Sequence, residues 1–389
     1  MQKKSIGIVF GGNSAESQVS VITALMIEKN IRGMAEYDFV FLYLSRDNKF
    51  YLIPQNKMNV QTFKSGECES QKYQVVLGYN GSVFKSKSLL KKKCLDLYAV
   101  INCCHGGAGE NGVLSGFMKM LNIPFSTSSC MGMGISMDKN LFKHILRSNS
   151  VLVPDWVFVS KKDWKYSKTE VFSKVKTLKF PVIVKPNSSG SSLGVSVVKN
   201  EEEFEQKVDI AFEFDSNVII EKLIENKVEF NCAVLGDTCE IIVSDVDQVQ
   251  GIEELFSFED KYIGKPSEKA EQKNKEITQK SNKKGMEQVS RLLPAPIGDK
   301  LKNKLQETSA IVFNLIGLSG ISRVDYLYDE KKKKLYVGEI NSVPGSLALY
   351  FFKNTKMGVR GVIEKLINIA INSSASFVKI NEKFIPKIY

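Results

Sequence analysis

Apolar and polar residues alternate with a period of two over ISRVDYLYD and again over KLYVGEIN, with a lysine-rich turn between them. That period predicts a β-hairpin over residues 321–346. Alternate side chains of a strand share a face, so Arg323 lies beside Asp325, and Glu339 beside Asn341. Elsewhere the pattern changes. SIGIVF (5–10) is an unbroken apolar run, read as a buried strand, and Gly11-Gly12 turns it into a helix from about Ala15 to Asn30. Asn13 followed three residues later by Glu16 has capping-box spacing, and the competing role for Glu16 is to face a substrate ammonium. Strand-like runs follow at 38–44 and 49–53, then a polar, weakly patterned stretch to about 95. A strand at 97–103 leads through HGGAGENG into the helical VLSGFMKML. Strands alternating with helices predict a parallel α/β domain over 1–127.

Beyond it, SMDKNLFKHILRS reads as a helix with Leu141, Phe142, Ile145 and Leu146 on its apolar face. Lys139 stands in its first turn, the unfavourable end of the dipole for a cation, which fits either a solvated lysine or an anion shared with the helix N-terminus. FPVIVKPNSSGSSLGVSVV is a strand, a Ser/Gly loop and a second strand. Its loop offers backbone N–H groups and the hydroxyls of Ser191 and Ser192 to phosphate, with Lys185 at its entrance. No Gly-Lys-Ser/Thr follows, so it is not a Walker A loop. VIIEKLIENKVEFNCAVLG supplies two further strands, with Glu221 and Glu229 as candidate nucleoside contacts or, taken singly, surface glutamates. Residues 253–296 are long, lysine-rich and weakly patterned, as expected of a functional lid or a disordered segment. Helices at about 297–316 and 358–372 flank the hairpin.

Candidate chemistry concentrates in the hairpin. The oxygens of Asp325, Glu339 and Asn341 suit Mg²⁺, or Mn²⁺, carrying substrate phosphates. Arg323 cannot lose its proton and matches a phosphate or oxyanion with two N–H groups. Gly107-x-Gly109-x-x-Gly112 after a strand is a literal dinucleotide fingerprint, but the acidic residue expected about 20 positions later is missing. That loop can equally present its backbone, His105 and Glu110 to a charged ligand, or hold His105 as a structural residue.

Composition narrows the partners little. With 389 residues the chain accommodates two or three domains, and 43 % hydrophobic with 25 % charged residues is ordinary for a soluble globular protein. Net charge is +11, yet the lysines are scattered and no nucleic-acid motif accompanies them, so no nucleic-acid partner is expected. Apolar runs are too short for a signal-peptide core or a membrane span. Seven irregularly spaced cysteines fit reduced thiols, and two histidines make a zinc site unexpected. A cytoplasmic protein acting on small molecules follows, with a homodimer left open.

Taken in order, GGNSAE, HGGAGENG, SMDKNLFK, VKPNSSGSSLGV, EDKY, SRVDY and GEINSVPG resemble the D-alanine–D-alanine ligases of the ATP-grasp superfamily, over nearly the whole chain. The resemblance implies an α/β (α+β) ATP-grasp fold of three domains, 1–127, 128–224 and 225–389, with ATP and Mg²⁺ between the last two. It implies an acyl phosphate made from one amino acid's carboxylate and resolved by the amine of a second. Lys139, Lys185, Ser191 and Ser192 would then serve the phosphates, and Glu221 and Glu229 the nucleoside. Asp325, Glu339 and Asn341 would hold the metal. Glu16 would receive the first ammonium, linked to Ser191 and Tyr262, which replaces the capping role. His105 and Lys261 would serve the amino-acid substrates, and Arg323 with the backbone of Gly345 the tetrahedral oxyanion.

Several positions depart from the family pattern. Tyr350 stands where a serine usually holds the second carboxylate, Ser189 and Asn111 replace acidic residues, and the lid is long and basic. These changes bear on the second substrate, which the Lys261-Tyr262 pair marks as an amino acid rather than a hydroxy acid. The expected product is D-alanyl-D-alanine or a close relative, for cell-wall precursors. A ligase with another acceptor, and a dinucleotide-dependent oxidoreductase, are the competing readings.

Overall fold

The structure, a computed structural model, describes residues 3–85, 93–250 and 290–375. Its first sheet closes on itself in the order β1 (Lys4–Gly11), β2 (Tyr37–Leu44), β3 (Phe50–Ile53), β4 (Gln74–Leu77), β5 (Ser82–Lys85) and β6 (Lys93–Asn102). Only β2, β1 and β6 run parallel; β3, β4 and β5 are antiparallel. The α/β domain expected over 1–127 is thus parallel in its centre, β2-β1-β6, and antiparallel through β3, β4 and β5. Residues 45–49 are too few for a crossover helix, so β2 and β3 can only form a hairpin. Helix α1 (Ser17–Ile31) packs Ala24, Ile27 and Ile31 against this sheet.

A four-stranded antiparallel sheet follows, in the order β7 (Trp156–Ser160), β10 (Asn217–Lys222), β8 (Val182–Pro186), β9 (Ser196–Val198). Trp164, Val171, Val175, Phe204 and Val208 bury one of its faces. The third sheet is also antiparallel, in the order β13 (Ser290–Leu292), β12 (Ile241–Gln250), β11 (Lys227–Gly236), β14 (Gly320–Asp329), β15 (Lys334–Asn341). Residues 290–292 of the expected lid are therefore an edge strand. Lys261 and Tyr262 lie outside the described residues.

One helix over Lys139–Ser148 packs Phe142 and Leu146 into the core of the third sheet together with Phe230, Phe313 and Tyr326. Its predicted apolar face is corrected at one position, since Leu141 is exposed while Lys143 is fully buried. The helix Gly358–Ala375 sends Val362, Ile363, Leu366 and Ile367 into the same core as Ile6, Ile8, Ala99 and Ile101 of the first sheet. The two ends of the chain thereby share one apolar core, which fixes the first sheet's loops against the end of β15. All seven cysteines are free thiols. Among the described residues no helix is long and apolar enough to cross a membrane.

Candidate active site

The hairpin β14–β15 sets the site. Cross-strand pairing places Arg323 opposite Asn341 and Asp325 opposite Glu339. Arg323 grips Asp325 with two parallel bonds, Nε to Oδ1 and Nη2 to Oδ2, both 2.6 Å. Asn341 Nδ2 donates to Asp325 Oδ2 at 3.1 Å. Two carboxylates and an amide are thus held side by side at one end of the sheet, a hard-oxygen donor set that fits Mg²⁺ or Mn²⁺.

Facing them are two lysines, Lys185 on β8 of the second sheet and Lys143 on the helix Lys139–Ser148. Lys185 Nζ donates to Glu221 Oε2 at 2.8 Å, and Lys143 Nζ lies 3.3 Å from Glu221 Oε1. Burial alone would raise the Glu221 carboxyl, but the two ammonium groups outweigh it and hold it down at about 2. Burial lowers Lys143 to about 8. Two cations around one anion leave a net positive charge, the sign that attracts phosphate. Lys143 was not singled out from sequence. Its signal was a charged residue next to Phe142 on the buried side of the helix, four positions after Lys139.

The unfavourable placement of Lys139 is explained by the neighbouring loop. Its Nζ donates to Ser189 O at 2.6 Å, its N–H to Asn187 O at 3.1 Å, and Asn140 N–H to Asn187 Oδ1 at 2.9 Å. The helix N-terminus is docked on the Ser/Gly loop. Ser191 and Ser192 both adopt left-handed backbone, with φ of 50° and 58°, and Gly194 follows at 67°. Successive N–H groups in such a conformation form a concavity suited to anions.

Glu16 joins this loop from the opposite side. It begins α1 without capping it, and its Oε1 accepts a hydrogen bond from Ser191 Oγ. The capping-box reading is thereby overturned: the carboxylate points away from the helix's first N–H groups. Gly106 keeps the approach open, since a Cβ there would sit 2.6 Å from Glu16 Oε2. One narrow cleft is lined by Glu16, Glu110, Lys139, Gly190, Glu339 and Asn341, and so draws on all three sheets.

His105 and Glu110 stitch the loop after β6 to the segment after β15. Val343 O accepts a hydrogen bond from His105 Nδ1 (2.8 Å), so Nε2 is the bare nitrogen and accepts from Thr23 Oγ1 at 2.8 Å. Both ring nitrogens are engaged within the protein, and burial pushes the imidazole down to about 4. Glu110 accepts from the N–H groups of Gly106 (2.7 Å) and Val343 (3.1 Å). Burial, then the nearby Glu16 charge, raise its carboxyl to about 8. Glu221 faces lysines inside the second sheet, and Glu229 is half-exposed and paired with Lys227 at 2.7 Å. Gly345 opens a three-ten helix, Gly345–Phe352, in which Ser346, Leu347 and Ala348 are all left-handed, a strained run of the kind that gathers at functional sites. Tyr350 closes that segment, with its hydroxyl bonded to Arg291 and Asp247.

A four-stranded and a five-stranded antiparallel sheet closing over one cleft, with cations on one side and a carboxylate–amide cluster on the other, define the ATP-grasp class. Comparison with known proteins specifies the family. Family models described as D-ala D-ala ligase N-terminus and D-ala D-ala ligase C-terminus match residues 5–128 and 145–369. A D-alanine--D-alanine ligase of Thermosipho melanesiensis is 30% identical over 371 residues, 94% of this chain and 93% of its own length. One of Sulfurovum sp. is 32% identical over 349 residues, 90% and 89% of the two chains. Among solved structures, the VanG D-Ala:D-Ser ligase from Enterococcus faecalis superposes with a TM-score of 0.77 at 25% identity, covering 95% of this chain and 100% of its own. The D-alanine-D-alanine ligase from Helicobacter pylori does so at 0.71 and 25%, covering 94% and 98%. The chain belongs to the D-alanine–D-alanine ligase family of the ATP-grasp superfamily. Its activity is that of the family, ATP-dependent formation of D-alanyl-D-alanine for peptidoglycan synthesis. Ligases of this family use ATP with Mg²⁺ or Mn²⁺.

Proposed function

We propose that this cleft joins two D-alanine molecules in a reaction whose residue roles follow from the geometry above. The observation that carries the reading is the Arg323–Asp325–Asn341 cluster, set beside Glu339 and across the cleft from Lys139. The first D-alanine enters with its ammonium on Glu16, which Ser191 orients. Its carboxylate oxygen attacks the terminal phosphorus of ATP, and ADP leaves. Lys139, Lys185 and the N–H groups of the Ser191–Ser192 loop neutralise charge on the moving phosphoryl group. Asp325, Glu339 and Asn341 would hold the divalent ion, whose contribution when bound is to neutralise phosphate charge.

In the second half, the amine of the acceptor adds to the acyl carbon and phosphate departs. Arg323 and the Gly345 backbone face the oxygen that becomes negative, so they stabilise a charge present only in the transition state. Glu221 acts by fixing Lys185 and Lys143, which supports a positioning role as well as the nucleoside contact its family match suggests. His105 supports the site by tying residue 105 to residue 343, and Glu110 does the same through Gly106. The proposal includes a cytoplasmic location, supported by cysteines that form no disulfide among the described residues.

Phosphate release screened over pairs of D- and L-amino acids tests the reading. D-alanine with D-alanine should release phosphate and dipeptide in equal amounts. Release with L-amino acids alone, or none with any pair, would overturn it.

A further inference from the structure

Four strands of the third sheet carry one continuous row of polar residues. Asp247 on β12 pairs with Asn231 on β11, Asn231 with Asp325 on β14, and Asp325 with Glu339 on β15. Directly paired residues point to the same face of a sheet, and neighbouring strands lie about 4.8 Å apart. Asp247 therefore sits on the substrate face, about 10 Å from Asp325, two strand spacings away. It is completely buried, yet held in place on both oxygens: Oδ1 accepts from Asn231 N–H at 3.1 Å. Its Oδ2 accepts from Arg291 Nη1 at 2.7 Å and from the Tyr350 hydroxyl at 3.0 Å.

The direction of these bonds decides what Tyr350 can do. Its only hydroxyl proton goes to Asp247, and the oxygen accepts from Arg291 Nη1 at 3.1 Å. A carboxylate only accepts hydrogen bonds. Tyr350 therefore cannot donate to a substrate carboxylate without abandoning a buried aspartate, unlike a serine hydroxyl free to turn. Arg291 has the donors that Tyr350 lacks. Both of its bonds run through Nη1; Nη2 and Nε bond to none of the described residues, and its side chain is 29% exposed. The Asp247 carboxylate acts on Arg323 and the Arg291 guanidinium on Asp325, so the cluster lies within electrostatic reach of the reacting groups.

We propose that Arg291, braced by Asp247 and Tyr350, binds the α-carboxylate of the acceptor amino acid, taking over the position that Tyr350 cannot serve. This rests on the ligase reading above and names its acceptor-side specificity residue. A guanidinium meets a carboxylate with two parallel N–H bonds, which orients the acceptor amine toward the acyl carbon at the Arg323 end of the cleft.

The test is a competition in the full-length enzyme with ATP and Mg²⁺. D-alanine and D-alaninamide are offered together as acceptors, and the ratio of acid to amide dipeptide is read by mass spectrometry. Wild type should favour the acid product. Arg291→Ala should lower that ratio about 10- to 100-fold, the range for a lost hydrogen bond to a charged group, with the KM for ATP changed less than threefold. Arg291→Lys keeps the charge and should fall between the two; it also serves as the readout if the alanine variant does not fold. Tyr350→Phe should lower the ratio only a few-fold. An unchanged ratio in folded Arg291 variants, or a larger loss in Tyr350→Phe than in Arg291→Ala, overturns the assignment. Wild type forming neither dipeptide overturns the ligase reading itself, a separate result.

Discussion

The Lys143 ammonium lies 3.3 Å from the Glu221 carboxylate, and solvent reaches neither side chain. Such a pair is worth little against an apolar replacement of both groups but is costly to break on one side only. Lys143→Met leaves Glu221 with Lys185 alone, and it should lower the unfolding free energy by about 3 kcal/mol in urea titrations. Because Glu221 orients Lys185, the KM for ATP should rise as well. A loss below about 1 kcal/mol would remove Lys143 from the frame of the site.

His105 gives a pH signature. Unfolded, its imidazole takes up a proton below its ordinary 6.5; folded and buried, it does so only near 4. Between those values the unfolded chain binds more protons, so stability falls as pH falls. The loss from this group is about 3 kcal/mol between pH 6.5 and 4. Glu221 adds a second loss from its ordinary 4.5 down to about 2. Glu110, raised to about 8, slopes the opposite way above pH 4.5, so the test is the difference. His105→Gln should lose less stability than wild type on going from pH 6.5 to 4 and match it below; equal slopes for the two proteins between pH 6.5 and 4 would contradict the assignment.

Arg323 is bound to Asp325 by both arms of its guanidinium, so its removal takes an oxyanion donor and unpairs a carboxylate together. Arg323→Ala should lower kcat at least about 100-fold, the scale for one oxyanion donor. Fluorescent-nucleotide displacement should show ATP affinity within a few-fold of wild type. Wild-type turnover in the variant would end the oxyanion role.

The hairpin was legible because period-two alternation is strongest where one face of a strand is buried and the other lines a cleft. The predicted 321–346 contains strands Gly320–Asp329 and Lys334–Asn341, with Arg323 and Asp325 on one strand and Glu339 and Asn341 on the other as the alternation implied. The register that sets Asp325 opposite Glu339 comes from the structure. Glu16 has two readings from its neighbours; the structure removes the capping one and shows the contact to Ser191 that the family resemblance includes. Strands β4 and β5 were not legible, since four residues hold too few alternations to rise above a polar background. Lys143 is hidden for another reason: its burial depends on Glu221, 78 positions away on strand β10. The Asp247–Arg291–Tyr350 cluster depends on long-range strand pairing and on the course of the chain after Gly345. No local pattern encodes either.

The central claim is that the carboxylate of the first substrate captures the terminal phosphoryl group of ATP before a peptide bond forms. D-alanine carrying ¹⁸O in both carboxylate oxygens measures this directly when released phosphate is analysed by mass spectrometry. One ¹⁸O atom per phosphate, with the other retained in the new amide carbonyl, is the predicted result. Phosphate without label would mean that water, not the carboxylate, takes the phosphoryl group, and would contradict the account.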